Sequence, residues 1–401
     1  MRADLDLKSP AVARDPYPAF AWLRDRDPVH WSESLGAWVV TRYADVLEIW
    51  NHPDLFSSDR FRKVGAEFTS QRPEVRAVAS VLSEWLVFRD PPDHTRLRGL
   101  LQKTFTPRQL ANVRPQIQAA IDALIDEALP QHEIDFAAQF AFPLPALVIA
   151  LLLGAPSSDI EAIKHWSDEL AAYLGGSLDG RDNFTRARAG VQALVDYFTD
   201  LLREKRRNPG EDLIGLMLRA EHEGHTLGSE EIVSNCVLLL FAGHETTTNL
   251  LANGLLHLLR HPDRLAQLRA RPELDASAVE ELLRIESPVP ATVKIATRDV
   301  EFAGAALRAG QMVLPFLSSA NRDPRQFADP DRLDLARAPN RHLAFGWGIH
   351  FCLGAPLARL EAALAFRSLL ERVPSLALAD PDPRWRPWLF FRALEELRVR
   401  W

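Results

Sequence analysis

Cys352 stands in the run Phe345-Gly346-Trp347-Gly348-Ile349-His350-Phe351-Cys352-Leu353-Gly354, just ahead of a helix that carries Pro356 in its first turn. Glycines let a backbone curl close around a sulfur. Helix N-terminal N–H groups and the macrodipole favour a thiolate there, which lowers the thiol pKa and makes a good metal ligand or nucleophile. The only other cysteine, Cys236, lies on an apolar helix without such a loop and reads as a small buried hydrophobe. Two cysteines exclude a disulfide framework and fit a reducing compartment.

A second group of reactive side chains interrupts an apolar helix. Ser229 is a good N-cap, Glu230 and Glu231 suit the positive first turn, and the pattern runs to about His261-Pro262. At 1.5 Å per residue that is roughly 45 Å, enough to cross a domain. Val237 to Ala242 is apolar on every face and therefore buried. Gly243-His244-Glu245-Thr246-Thr247-Thr248 then brings an acid and three hydroxyls into the interior, where a carboxylate is costly without a partner. The bland reading is a polar kink. The sharper one is a bulge where a small molecule such as a bound gas, with waters, meets an acid and an alcohol. Farther on, Glu281 and Arg284 share a helix face at i and i+3 and can pair.

The elements that must position these groups are mostly helical. Tyr17–Arg26 and Tyr43–Asn51 read as helices around two short β-like runs, Val29 to Ser32 and Ala37 to Thr41. From Asp93 to about Arg284 the pattern is helical, with Ile117, Ile121, Leu124 and Ile125 on one stripe. Strand-like runs return between Val293 and Leu314, a last helix spans about Ala355 to Leu370, and irregular structure rich in proline and tryptophan lies around Trp385 to Phe391. Phe136 to Ser158 carries no charge, but Gln139, Pro143, Pro145 and Pro156 argue for a buried helix beginning near Pro145 rather than a membrane span. The 401 residues, 47% hydrophobic and 25% charged, exclude general disorder and a polytopic membrane protein. A net charge of −7 gives no basic excess for nucleic acid or an anionic membrane surface. Met1 to Asp6 has no signal-peptide pattern, so a cytoplasmic protein is expected. With no repeat and no Gly/Ser-rich linker, one domain over 1–401 with a β-rich edge is the economical organisation.

Together, in this order and spacing, these features resemble the cytochromes P450, the haem-thiolate monooxygenases, and the likeness covers nearly the whole chain. The cysteine run fits the family's Phe-x-x-Gly-x-x-x-Cys-x-Gly pattern at Phe345, Gly348, Cys352 and Gly354. Ala242 to Thr247 looks like its oxygen-binding helix motif, and Glu281-x-x-Arg284 like its structural pair. Asp90-Pro91-Pro92-Asp93-His94-Thr95-Arg96-Leu97-Arg98 and Ala320-Asn321-Arg322-Asp323-Pro324 with Phe327 also match. The resemblance implies a mainly α, triangular helical prism with a small β-rich subdomain, binding haem b (iron protoporphyrin IX). It makes Cys352 the iron ligand, a thiolate whose electron push favours O–O cleavage. Ala242, Gly243, Phe345, Gly346 and Gly354 would border the haem. His94, Arg98 and His350 would hold a propionate, and Lys294, standing where relatives usually carry arginine, would hold the other, with Arg298 two pleats along as the alternative. Glu281 and Arg284 would join Arg332 or a neighbour in a buried structural cluster. Trp347 departs from the histidine many bacterial relatives carry.

The activity so implied is insertion of one atom of O2 into an apolar substrate such as a terpenoid, steroid, fatty acid or macrolide, with Glu245 and Thr246 delivering protons. Electrons would come from a separate ferredoxin and ferredoxin reductase, since no Gly-x-Gly-x-x-Gly fingerprint is present. A monomer is expected. Pocket walls carried over by position are Trp85, Leu86, Val87, Phe88, Leu239, Leu240, Ala291, Thr292, Val293, Leu389 and Phe390, apolar except for Thr292. Three other readings compete. A peroxide-using enzyme would not need the acid and alcohol, a haem sensor or carrier would need neither of them, and a cysteine hydrolase with His350 as base leaves the buried helix unexplained.

Overall fold

The computed structural model describes residues 6–63, 73–102, 105–177, 183–222 and 227–401; residues 1–5 of the N-terminal run lie outside them. The helices that matter for the site are α1 (Asp93–Leu101), α2 (Pro107–Ala128), α3 (Pro143–Leu153), α4 (Ile160–Leu174), α5 (Asn183–Arg207), α6 (Ser229–Arg260), α7 (Asp275–Ile285) and α8 (Ala355–Arg372). Their main hydrophobic cluster draws on side chains from Val78 to Val399, so the helical body is tied together over that length. Ile117, Ile121 and Ile125 are fully buried in it, as their spacing on α2 demands.

α6 is the spine. It packs on α3, α5, α7 and α8, and two glycines make the approaches possible. A Cβ on Gly243 would fall 2.8 Å from Ile149 of α3, and one on Gly254 would fall 2.7 Å from Phe366 of α8. Gly243, expected to border the cofactor, is also required by this helix packing. The N-cap of α6 is Gly228, with Ser229 one position inside; Glu231 reaches back to accept from the Gly228 N–H at 3.2 Å and also pairs with Arg96 of α1. The backbone stays α-helical through residues 243–248, so the expected bulge is not present. Instead the Thr246 hydroxyl donates to the Ala242 carbonyl at 2.8 Å, one turn back. α3 begins at Pro143 after a π turn over Ala137–Ala141, and among the described residues no helix is long and apolar enough to cross a membrane.

The β-rich edge is a five-stranded mixed sheet in the order β1-β2-β5-β4-β3, formed by β1 (Val29–Ser32), β2 (Ala37–Val40), β3 (Phe56–Ser57), β4 (Lys294–Ala296) and β5 (Met312–Pro315). β2 and β5 run parallel with Trp38 opposite Val313, and β4 lies antiparallel to β5 with Lys294 opposite the same valine. The strand Arg398–Arg400 pairs with Glu133–Asp135 and Ala377–Leu378, closing the irregular C-terminal region onto the helices.

Candidate active site

The cysteine loop owes its shape to two left-handed glycines, Gly346 (φ +70°) and Gly348 (φ +63°), a region other residues adopt at a cost. The Cys352 N–H donates to the Phe345 carbonyl at 2.8 Å, folding the loop back on itself before α8 begins. Burial raises the Cys352 pKa, opposed by the Gly354 and Ala355 N–H groups and by Arg98. The helix start therefore acts in the expected direction, but desolvation outweighs it. Cys236 is sealed in α6, and burial pushes its thiol far up.

Four cationic or titratable side chains from three elements gather at this loop. His94 and Arg98 project from one face of α1, Lys294 from β4, and His350 from the loop itself. The His94 and His350 rings lie 4.3 Å apart. Lys294 Nζ donates to Ser58 Oγ at 2.7 Å and sits 4.2 Å above the Trp50 ring, while His350 Nε2 shares the same hydroxyl at 3.0 Å. Burial drives the His94 pKa down to about 4 and that of Lys294 to about 8; only Asp90 opposes, by raising both. Arg98 lies within electrostatic reach of Cys352 and forms no ion pair with any described residue. His94 is 2% exposed, yet neither ring nitrogen has a partner. Arg98 and Lys294 beside a cysteine, with a buried His94 ring left without a partner, fit a planar group carrying carboxylates and a thiolate-seeking metal. A Cβ on Gly354 would meet nothing within 4 Å, so the chain leaves room there as well. The residues present fit haem b.

Arg298 does not join this cluster. β4 ends at Ala296, the two-residue period ends with it, and Arg298 is 69% exposed near Asp54. Ser58 and Trp50 were missed at the sequence level, because a serine after a two-residue strand and a tryptophan on a surface-type helix carry no distinguishing pattern.

On α6 the cover opens at the predicted place. Phe241, His244 and Thr247 are buried, whereas Ala242, Gly243, Glu245 and Thr246 are partly or fully uncovered. Glu245 Oε1 accepts from Asn249 at 3.1 Å, and burial raises its pKa against that bond. Among the wall candidates Phe88, Thr292, Val293, Leu389 and Phe390 are half-buried and Val87 is exposed. Leu239 is buried. Leu240 and Ala291, at 0% and 1% exposure, are packed into the core and line no open space; Trp85 and Leu86 are similarly closed, the latter with its N–H on Asn235.

Glu281 and Arg284 are both fully buried and joined by two bonds of 2.8 and 2.9 Å. The third member is Arg337, whose Nε lies 3.1 Å from both carboxylate oxygens. Arg332 contributes only its backbone carbonyl, because the chain turns between it and Arg337 and brings the later side chain inward. Arg284 also donates to the carbonyls of Asn321 and Pro330, and Asn321 accepts from the Leu343 N–H at 2.7 Å. The pair thereby holds the segment leading into the cysteine loop.

A protein-family model described as Cytochrome P450 matches residues 170–376. The chain is 40% identical over 396 residues to the biotin biosynthesis cytochrome P450 of Bacillus subtilis (strain 168), covering 96% of each chain. It superposes on P450BioI, solved in complex with acyl carrier protein ligated to hexadec-9Z-enoic acid, with a TM-score of 0.90, 36% identity and coverage of 98% of this chain and 100% of that one. CYP109E1 from Bacillus megaterium, solved with testosterone, matches with a TM-score of 0.89 and 36% identity over 97% of this chain and 98% of that one.

Proposed function

The chain belongs to the cytochrome P450 family, monooxygenases with haem b as cofactor, and on that premise we propose that it inserts one atom of O2 into an apolar small molecule, using electrons from a separate ferredoxin and reductase. The observation that carries this reading is the partly uncovered acid and alcohol on α6, Glu245 and Thr246, in a protein that also presents Cys352 beside Arg98, Lys294 and a His94 ring without a partner. When bound, the haem supplies reductive activation of O2. Cys352 Sγ is the metal ligand, steadied by two backbone N–H groups. His94, Arg98, His350 and Lys294 bind the propionates. Phe345, Gly346, Gly354 and Ala242 border the ring.

Glu245 and Thr246 move protons. The Thr246 hydroxyl gives its hydrogen to the Ala242 carbonyl and keeps its lone pairs to accept from a water, while burial raises the pKa of Glu245 and so favours a proton on its carboxyl. Glu281, Arg284 and Arg337 act on folding. The remaining wall side chains, Val87, Phe88, Leu239, Thr292, Val293, Leu389 and Phe390, give an apolar chamber with one hydroxyl; Thr292 Oγ1 is buried without a partner and is free to bond a substrate oxygen. Two unpaired cysteines suit a reducing cytoplasm, the hydrophobic cluster spanning Val78 to Val399 suits one domain, and a monomer suffices for the activity.

Thr246→Ala should leave haem content and substrate binding unchanged, yet lower product formed per NAD(P)H consumed by roughly tenfold or more, with hydrogen peroxide rising in compensation. An unchanged ratio in a reconstituted ferredoxin system would remove the alcohol from proton delivery. Lys294→Met should weaken haem retention by roughly ten- to a hundredfold, the worth of a charge-assisted bond, measured by haem transfer to apomyoglobin. An optical titration with apolar and polar compounds tests the chamber. Terpenoids, steroids or fatty acids should move the haem toward high spin, and a shift given only by small polar acids would contradict the reading.

A further inference from the structure

Arg60 lies three residues beyond β3, and its guanidinium carbon sits 4.5 Å from the Phe88 ring centroid and 4.9 Å from that of Phe61. Arg60 is half-buried, and the fully buried arginines of the described residues are matched by acceptors. Arg89 meets Glu84, Arg284 meets Glu281, Arg322 and Arg392 meet Glu286, and Arg24 bonds to Ser319. Arg60 has no carboxylate and no side-chain hydrogen bond among the described residues, and its Nε is sealed from solvent with nothing to donate to. Burial lowers its pKa to about 10, with Tyr173 pulling the other way, so it remains cationic at neutral pH. Two aromatic faces offset part of the desolvation, but they do not replace the planar, two-pronged acceptor that a guanidinium matches.

Its surroundings say what such an acceptor would be attached to. Phe61 and Phe88 meet edge to face at 4.9 Å, Phe88 stacks on Trp85 at 5.8 Å, and Trp85 reaches Phe241 at 6.0 Å, one residue before the uncovered stretch of α6. Ring contacts therefore link Arg60, through the partly uncovered Phe61 and Phe88, to the buried Trp85 and to the buried Phe241 of the helix that carries Glu245 and Thr246. We propose that Arg60 anchors a carboxylate at one end of the substrate, which makes the substrate an apolar chain or ring system with a single acidic terminus, its apolar part meeting the partly uncovered Phe61 and Phe88. The proposal rests on the monooxygenase reading with its apolar chamber and narrows it to amphiphilic acids.

The test compares dodecanoate with methyl dodecanoate, the same chain without the charge, on haem-loaded protein by calorimetry and by spin-state titration. The acid should bind about tenfold or more tighter than the ester, a preference that added salt reduces. Arg60→Gln should bring the acid to the affinity of the ester, and Arg60→Lys, which keeps a point charge and serves if the glutamine variant does not fold, should retain part of the preference. Equal binding of acid and ester to the unaltered protein, or an equal loss of both in Arg60→Gln, would overturn the role of Arg60 and leave the apolar chamber standing. If neither ligand nor any steroid or terpenoid binds to haem-loaded protein, the chamber reading fails, and the Arg60 proposal fails with it.

Discussion

Replacing Cys352 with serine should abolish monooxygenation while leaving the helical body folded. The side chain is half-buried in a loop whose shape is fixed by Gly346, Gly348 and the Cys352-to-Phe345 backbone bond, none of which depends on the sulfur. A serine oxygen is a hard, weakly acidic ligand and supplies neither the affinity nor the electron push of a thiolate. Turnover in a reconstituted ferredoxin system should fall to background. Cys236 cannot take over, because it is 1% exposed inside α6. The companion variant Cys236→Ala should keep full activity, and the reverse pattern would exchange the two cysteines in this account.

Glu281→Ala should prevent accumulation of haem-loaded protein altogether. Two guanidinium groups, from Arg284 and Arg337, converge on one carboxylate that is fully buried, and the Asp334 N–H and Asn340 amide also donate to it. Removing it leaves an uncompensated charge in the interior, a loss of about 3–5 kcal/mol against a total stability of about 5–15 kcal/mol. The segment after Asn321 loses its anchor, and the cysteine loop is tied to that segment through the Leu343 N–H. Soluble haem content and urea midpoint should both drop sharply. Wild-type values for both would mean that the cluster does not hold the loop. Arg337→Ala should be milder, since that side chain is partly exposed and Arg284 keeps its own pairing with Glu281.

The chemistry was legible in the sequence where residue type and spacing are both constrained. A cysteine among glycines before a helix, an acid and an alcohol in an apolar helix, and two residues at i and i+4 on α1 each leave a local signature, and the structure brings His94, Arg98, His350 and Cys352 together. What escaped depends on where the chain bends. Arg337 rather than Arg332 completes the buried cluster because of turns between residues 329 and 337 that no periodicity encodes. Arg298 falls outside because β4 stops after three residues, and strands of two or three residues, such as Phe56–Ser57 and Arg398–Arg400, are too short for an alternating pattern to register. Leu240 and Ala291 were misjudged as walls because a stretch apolar on every face does not show which side meets open space. The need for Gly243 lies in a partner helix, at Ile149, nearly a hundred residues earlier in the chain.

The most direct test of the central claim is the absorption spectrum of the purified, reduced protein under carbon monoxide. Ligation by the Cys352 thiolate predicts a red protein whose carbon monoxide complex shows the strongly red-shifted Soret band of a haem-thiolate centre. A protein that takes up no haem, or a complex with the ordinary Soret position of imidazole ligation, would contradict it.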